Sequence, residues 1–154
     1  MRILMIGDIV GNPGRKIVCQ SLRGLVKKEE IDFVVANAEN AASGSGLTPS
    51  IYDELIEAGV QAITLGDHIY RRRSIVRVLQ TKANIVKPAN YPSDAPGRDH
   101  CIVKTDAGHK VAVISLIGRV FMKPVDCPFA AVDRVLKNLK DDVKIILVDM
   151  HAEA

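Results

Sequence analysis

Short apolar runs of strand length alternate along this chain with stretches whose apolar residues recur at helical spacing, and that alternation restricts its fold more than any other feature. Residues 3–6 form the first such run, closed by Gly7-Asp8. Asn12 then reads as a helix cap ahead of Pro13, with Ile17, Val18, Leu22, Leu25 and Val26 on one helical face as far as Lys27-Lys28. Residues 33–36 repeat the strand signal. After a Gly/Ser-rich loop, Thr48-Pro49 opens a second helix that stops at Gly59. Residues 60–65 predict a third strand, Ile75, Val76 and Leu79 a helix, residues 84–86 a fourth strand, and residues 87–99 a turn-rich loop.

Residues 101–105 and 110–116 flank Asp106-Ala107-Gly108-His109 and read as a hairpin, which gives the sheet an antiparallel piece. A helix over 129–139 and a last strand over 143–148 complete the pattern. Parallel neighbours require long crossovers, so the expected fold class is α/β: a layered α/β/α arrangement with a mixed, largely parallel central sheet. A chain of 154 residues, 47% hydrophobic, is long enough to bury one substantial core, and one domain over 1–154 is expected.

Charge narrows the function classes. Lys and Arg number 21 against 18 Asp and Glu, a balance of +3 too small and too dispersed for a stable nucleic-acid partner, although a small anionic ligand remains compatible. No apolar run approaches the roughly 20 residues needed to span a bilayer, so no membrane association is expected and a cytoplasmic location is. Cys19, Cys101 and Cys127 are far apart and lack metal-ligand spacing; they read as reduced core thiols.

The chemistry is concentrated at strand ends. The first predicted strand ends in Gly7-Asp8, the second leads to Glu39-Asn40, the third to Gly66-Asp67-His68 and the last to Asp149-Met150-His151. In open α/β sheets ligands bind outside the carboxyl ends of the strands, so one shared sheet brings these groups towards one rim. Carboxylate, amide and imidazole donors suit borderline divalent metals such as Mn, Fe or Zn. Without a cation, Asp8, Glu39 and Asp67 at close quarters repel one another. Each residue alone reads first as an ordinary turn former or helix cap; their joint placement carries the site reading.

Two other features carry less. Gly7, Gly11 and Gly14 invite a nucleotide reading, but their spacing matches neither the dinucleotide fingerprint nor a phosphate loop, and turn-making explains them. Arg71-Arg72-Arg73 opposes the macrodipole near a predicted helix start, which leaves phosphate contact or a solvated charged face.

Gly-Asp-Ile-Val-Gly-Asn-Pro-Gly at 7–14, Asn-Ala-Glu-Asn at 37–40, Gly-Asp-His at 66–68, Pro-Ala-Asn-Tyr-Pro at 88–92 and Asp-Met-His-Ala-Glu-Ala at 149–154 together resemble the calcineurin-like metallophosphoesterases. More narrowly, they resemble a bacterial branch described as phosphodiesterases of cyclic nucleotides, including 2′,3′-cyclic ones. The resemblance implies two divalent metal ions (Fe, Mn or Zn), with Glu39 bridging, Asp8 on one metal and Asp67 with His151 on the other. It places Asn40 among the ligands and beside the phosphate, and His68 as the residue that contacts the phosphate or protonates the leaving alkoxide.

The implied reaction is hydrolysis of a small phosphodiester by a metal-bound hydroxide, the two cations about 3.5–4 Å apart. No Ser or Cys nucleophile stands beside a convincing base, in keeping with that route. A non-catalytic metal- or nucleotide-binding domain used for sensing or assembly is the alternative, and a purely structural α/β domain the third reading.

Two departures from the family pattern are visible. Asp67 stands where the pattern Gly-Asn-His has a neutral amide, and altered activity is expected from the added charge. Family members also continue to a Gly-x-His-x-His segment with further ligands, whereas this sequence ends at Ala154. The resemblance therefore covers the N-terminal portion of the family fold, truncated at the C-terminus. Impaired turnover, an uncovered sheet edge and a homo-oligomer are the expectations that follow.

Overall fold

The computed structural model describes residues 1–153, in the order β1 (Ile3–Ile6), α1 (Gly11–Lys28), β2 (Phe33–Asn37), α2 (Pro49–Ala58), β3 (Ala62–Thr64), α3 (Ile75–Thr81), β4 (His100–Lys104), β5 (Lys110–Ile117), α4 (Pro128–Asn138) and β6 (Ile145–His151). The fold is α/β, with parallel and antiparallel pairs as the alternation predicts. The strands are divided between two three-stranded sheets, β1-β2-β3 and β4-β5-β6, rather than joined in one central layer.

The division follows from side-chain parity. In a strand, alternate residues face opposite sides. Val34 and Ala36 of β2 face the core shared with α1, α2 and α3, while Phe33 and Val35 face the other way, into a second core with Val111 and Val113 of β5 and Ile145 and Leu147 of β6. Ile114 and Leu116, on the opposite face of β5, pack against Ala131 and Val135 of α4. The layers are therefore helices, sheet, sheet, helix. β2 is apolar on both faces because both are covered, the pattern of a buried parallel strand.

The expected strand at 84–86 is not a strand. Ile85 bridges to Ile63 of β3, Val86 to Arg98, and Pro88 to Ser115 of β5, all in parallel sense. This segment crosses from one sheet to the other within a few residues, and Pro88, lacking an N–H, could not continue a ladder. Because it runs parallel to both β3 and β5, the carboxyl ends of β1, β2, β3, β5 and β6 all point the same way.

Local chemistry sets the element ends. The Thr48 hydroxyl caps α2 at the Ile51 N–H, Pro49 occupies the first turn, and Gly59, at φ +115°, ends the helix in a left-handed conformation. Asn12 does not cap α1; the helix already starts at Gly11, with Val10 at the cap position, and the Asn12 amide oxygen accepts from Arg15. β6 runs to His151, beyond the expected end at 148, because its pairing with β5 continues through Asp149↔Ser115 to His151↔Ile117.

Among the described residues no helix is long and apolar enough to cross a membrane. All three cysteines are free; Cys101 is buried, and burial pushes its thiol up to about 12, whereas Cys19 and Cys127 are half-buried.

Candidate metal centre

The inner faces of the strands turn polar at their carboxyl ends. β2 runs Phe33, Val35, Asn37 on that face, β3 Ala62, Thr64, and β6 Ile145, Leu147, Asp149, His151. The same period of two that builds the inter-sheet core thus delivers Asn37, Thr64, Asp149 and His151 to its rim.

Glu39 lies just beyond β2 and is fully buried. Its backbone is fixed by Asn37, whose Oδ1 accepts the Glu39 N–H at 3.1 Å, and by Gly46, whose N–H donates to the Glu39 carbonyl at 2.5 Å. Its Oε2 accepts the His68 backbone N–H at 3.1 Å. The carboxylate lies flat over Gly66: a Cβ there would fall 2.5 Å from Oε1 and 2.6 Å from Cδ. Only glycine permits that approach.

His151 Nδ1 is 2.7 Å from Glu39 Oε1, and its Nε2 is 3.6 Å from Asp67 Oδ1 and 3.7 Å from Glu153 Oε1. Glu39, Asp67 and His151 each offer a donor atom, all within 4.8 Å of one another. Glu39 Oε1 and His151 Nε2 are both buried and make no well-directed hydrogen bond; the 2.7 Å approach of His151 Nδ1 to Oε1 is a close contact off the N–H direction. An unsatisfied buried polar atom costs about 1–3 kcal/mol, more when charged, so two at one point require an explanation. Two carboxylates and an imidazole are a fitting donor set for a borderline divalent cation, which would satisfy both atoms. Burial is the main influence on the Glu39 carboxyl and raises its pKa; the nearby Asp67 and Asp8 charges act in the same sense, and the His68 N–H and His151 oppose them.

Asp8, Asn40 and His68 form a second, contiguous chain. Asn40 Nδ2 donates to Asp8 Oδ2 at 2.7 Å, and Asn40 Oδ1 is 2.6 Å from His68 Nδ1. A carboxylate only accepts, so the amide must turn its nitrogen to Asp8 and its oxygen to His68, and the His68 proton then sits on Nδ1. That leaves Nε2 of a neutral His68 bare, 4.0 Å from Asp67 Oδ2. Asp8 is exposed and lies outside the Glu39–Asp67–His151 group.

Several further residues at this rim are assigned no role from the sequence, although Asn37, Tyr91 and Asp149 lie within its motifs. Asn37, Thr64 and Asp149 form a network beneath Glu39; of the three, Thr64 lies outside the quoted motifs, and inner-face parity is the sequence pattern that points to it. Tyr91 stacks edge-to-face on Tyr70, ring centroids 5.8 Å apart, and burial raises its phenol pKa, with smaller contributions from Asp67 and Glu39. Of the arginine run, Arg72 donates to the Ser45 and Ala42 carbonyls and pins the glycine-rich loop, a structural role, while Arg71 and Arg73 are exposed.

Comparison with known proteins gives a consistent result. The chain is 42% identical over 154 residues to a 2′,3′-cyclic-nucleotide 2′-phosphodiesterase of Bacillus subtilis (strain 168), covering all of this chain and 58% of that protein. A crystal structure of a hypothetical protein from Thermus thermophilus superposes with a TM-score of 0.92 at 38% identity, over 100% of this chain and 59% of the other. A Mycoplasma pneumoniae structure described as a novel phosphatase superposes with a TM-score of 0.87 at 30% identity, over 99% of this chain and 55% of the other. The chain thus spans somewhat over half the length of these relatives. The model of the YmdB-like protein family matches residues 4–154, and the chain belongs to that family.

Proposed function

We propose that the chain carries a metal-dependent phosphoesterase site that hydrolyses small phosphodiesters, cyclic nucleotides among them. The observation that carries this reading is the convergence of Glu39, Asp67 and His151, with Glu39 Oε1 and His151 Nε2 buried and without a well-directed hydrogen bond, next to the Asp8–Asn40–His68 chain. The phosphodiesterase named among the relatives supports the substrate class.

In this reading Glu39, Asp67 and His151 would hold one divalent ion, and Glu39, Asp8 and Asn40 would serve a second; Fe, Mn and Zn all suit the donors. Bound divalent ions would supply Lewis acidity at a phosphoryl oxygen and lower the pKa of a bound water. The chain's own groups do the rest. The Asn40 amide, held between Asp8 and His68, orients the imidazole towards the phosphate. His68 Nε2 delivers a proton to the leaving oxygen only from the imidazolium form, since the Nδ1 proton of the neutral ring is committed to Asn40.

The three donors that converge without Asp8 favour a second reading, a metal-binding domain without turnover. Hydrolysis of bis-p-nitrophenyl phosphate with added Mn²⁺ separates the two. Metal-dependent turnover is expected in the wild-type chain, reduced at least about 100-fold in Asp8→Ala. Bound Mn²⁺ without turnover supports the second reading, and neither binding nor turnover removes both.

The chain reads as one domain that self-associates. β1 and β6 are each paired on one side only, and Met5, Ile17, Ile146, Val148, Met150 and Phe129 stand exposed on or beside them. Sedimentation is expected to give a dimer or larger species; a monodisperse monomer at micromolar concentration overturns this.

A further inference from the structure

Asp149 lies two residues before His151 on the inner face of β6, at the seam between the sheets. Its Oδ2 accepts two hydrogen bonds from the opposite sheet, from Asn37 Nδ2 at 2.9 Å and from the Thr64 hydroxyl at 2.5 Å. Asn37 then uses its Oδ1 to accept the Glu39 N–H at 3.1 Å. One carboxylate oxygen therefore joins the ends of β2, β3 and β6, and the bond it makes to Asn37 continues directly into the backbone of Glu39.

Stability alone does not account for this choice of residue. The seam is apolar below this level, with Phe33, Val35, Ala62, Val113 and Leu147, and an apolar residue at 149 would continue that packing. A carboxylate is costly there unless donors face it, and both donors come from strands that lead into the site loops. Donors holding a carboxylate oxygen form charge-assisted bonds, which are shorter and more directional than neutral ones. The second tie between the sheets, from the Ser115 hydroxyl to the Leu65 carbonyl at 2.6 Å, touches neither Asn37 nor Glu39.

We propose that Asp149 is a positioning residue: through Asn37 it fixes the distance between Glu39 on one sheet and His151 on the other, and so sets the bite of the metal site. The inference rests on the metal reading above and deepens it, because it assigns the spacing of the ligands to a residue that is not itself one.

The test is Mn²⁺ affinity by isothermal titration on the chelator-treated full chain, with thermal melting of the same metal-free samples. Asp149→Ala is expected to weaken Mn²⁺ binding about 10- to 100-fold, as losses of supporting partners at metal sites do. Asp149→Asn keeps an oxygen for both donors and is expected to bind within about threefold of wild type. Ser115→Ala breaks the other inter-sheet tie and is expected to melt earlier with unchanged affinity.

Should Asp149→Ala fail to fold, Thr64→Val conserves volume, removes one of the two donors and is expected to weaken binding about three- to tenfold. Wild-type affinity in Asp149→Ala, or in Thr64→Val where it stands in, overturns the inference alone. So does an equal loss in Ser115→Ala. A wild-type chain that takes up no Mn²⁺, as Glu39→Gln is expected to, overturns the metal reading and the inference together.

Discussion

Replacing Gly66 by alanine is expected to abolish metal uptake while leaving a folded chain. The added methyl would sit 2.5 Å from Glu39 Oε1 and 2.6 Å from Cδ, well inside van der Waals contact, so one side must move. The Glu39 backbone cannot yield easily, because Asn37 and Gly46 hold it on either side of its peptide. The carboxylate must therefore swing away from His151 and Asp67, or the 66–68 loop must lift and take Asp67 with it.

Either movement separates the three donors. Overpacking of this kind costs about 1–3 kcal/mol, tolerable for a chain of this size, whereas Mn²⁺ affinity is expected to fall more than about 100-fold. Gly7→Ala is the control: its Cβ would meet nothing within 4 Å, and both affinity and stability should stay near wild type. Undiminished Mn²⁺ binding in Gly66→Ala would mean that the Glu39 carboxylate is not held where these contacts place it.

The second large effect concerns stability. Lys87 is a fully buried lysine, 1% exposed, whose ammonium lies 2.8 Å from Asp99 Oδ1 and 3.2 Å from the Pro92 carbonyl. Asp99 also reaches Arg134 at 3.4 Å, so this pair fastens the 88–99 loop to both the seam and α4. Asp99→Ala would leave the Lys87 charge buried with a single carbonyl acceptor. Breaking one side of such a pair costs about 3–5 kcal/mol.

A loss of that size corresponds to a fall in Tm of roughly 10 °C for a chain of this length. Lys87→Met removes the charge and leaves a similar apolar stem, and Asp99 keeps Arg134 and solvent, so it is expected to cost less than about 1.5 kcal/mol. Equal losses in the two variants, read by thermal melting, would show that the charge is not what makes Asp99 necessary.

The strand ends were legible because the signals that fix them are local. Apolar runs stop at Gly7-Asp8 and Gly66-Asp67, and a run of strand length followed by a turn residue needs no tertiary information to be read. The α/β class followed from the same alternation. Division into two sheets was not legible, because it depends on which face of β5 meets which face of β2, and an alternating or fully apolar run is silent about its partner.

The segment at 84–86 shows the same limit from the other side. Its composition favours a strand, yet it passes between the sheets and makes single bridges to each. Asn12 has the right side chain for a cap, but α1 has already begun at Gly11 and the amide turns to Arg15 instead.

At the site, Glu39, Asp67 and His151 were readable as residue types at strand ends, and the structure brings them within one cluster. It leaves Asp8 outside that cluster, on the Asn40 amide. Asn37, Thr64 and Asp149 were not readable as a unit, since their connection spans 112 positions in sequence between Asn37 and Asp149. The close approach of Gly66 to Glu39 was equally hidden: a glycine before Asp67 reads as a turn, and it is the tertiary fold that lays a side chain against it.

The core between the two sheets acts as a gauge block for the rim above it. Phe33, Val35, Val111, Val113 and Leu147 fill that layer, and because protein interiors are close-packed their summed volume sets how far apart the sheets stand. Glu39 hangs from one sheet and His151 from the other, so the gap between a carboxylate and an imidazole is a packing dimension before it is a chemical one. Methyl groups well below the rim therefore belong to its calibration, and sequence change in this apolar layer is constrained by the spacing of groups at the polar edge as well as by the stability of the core.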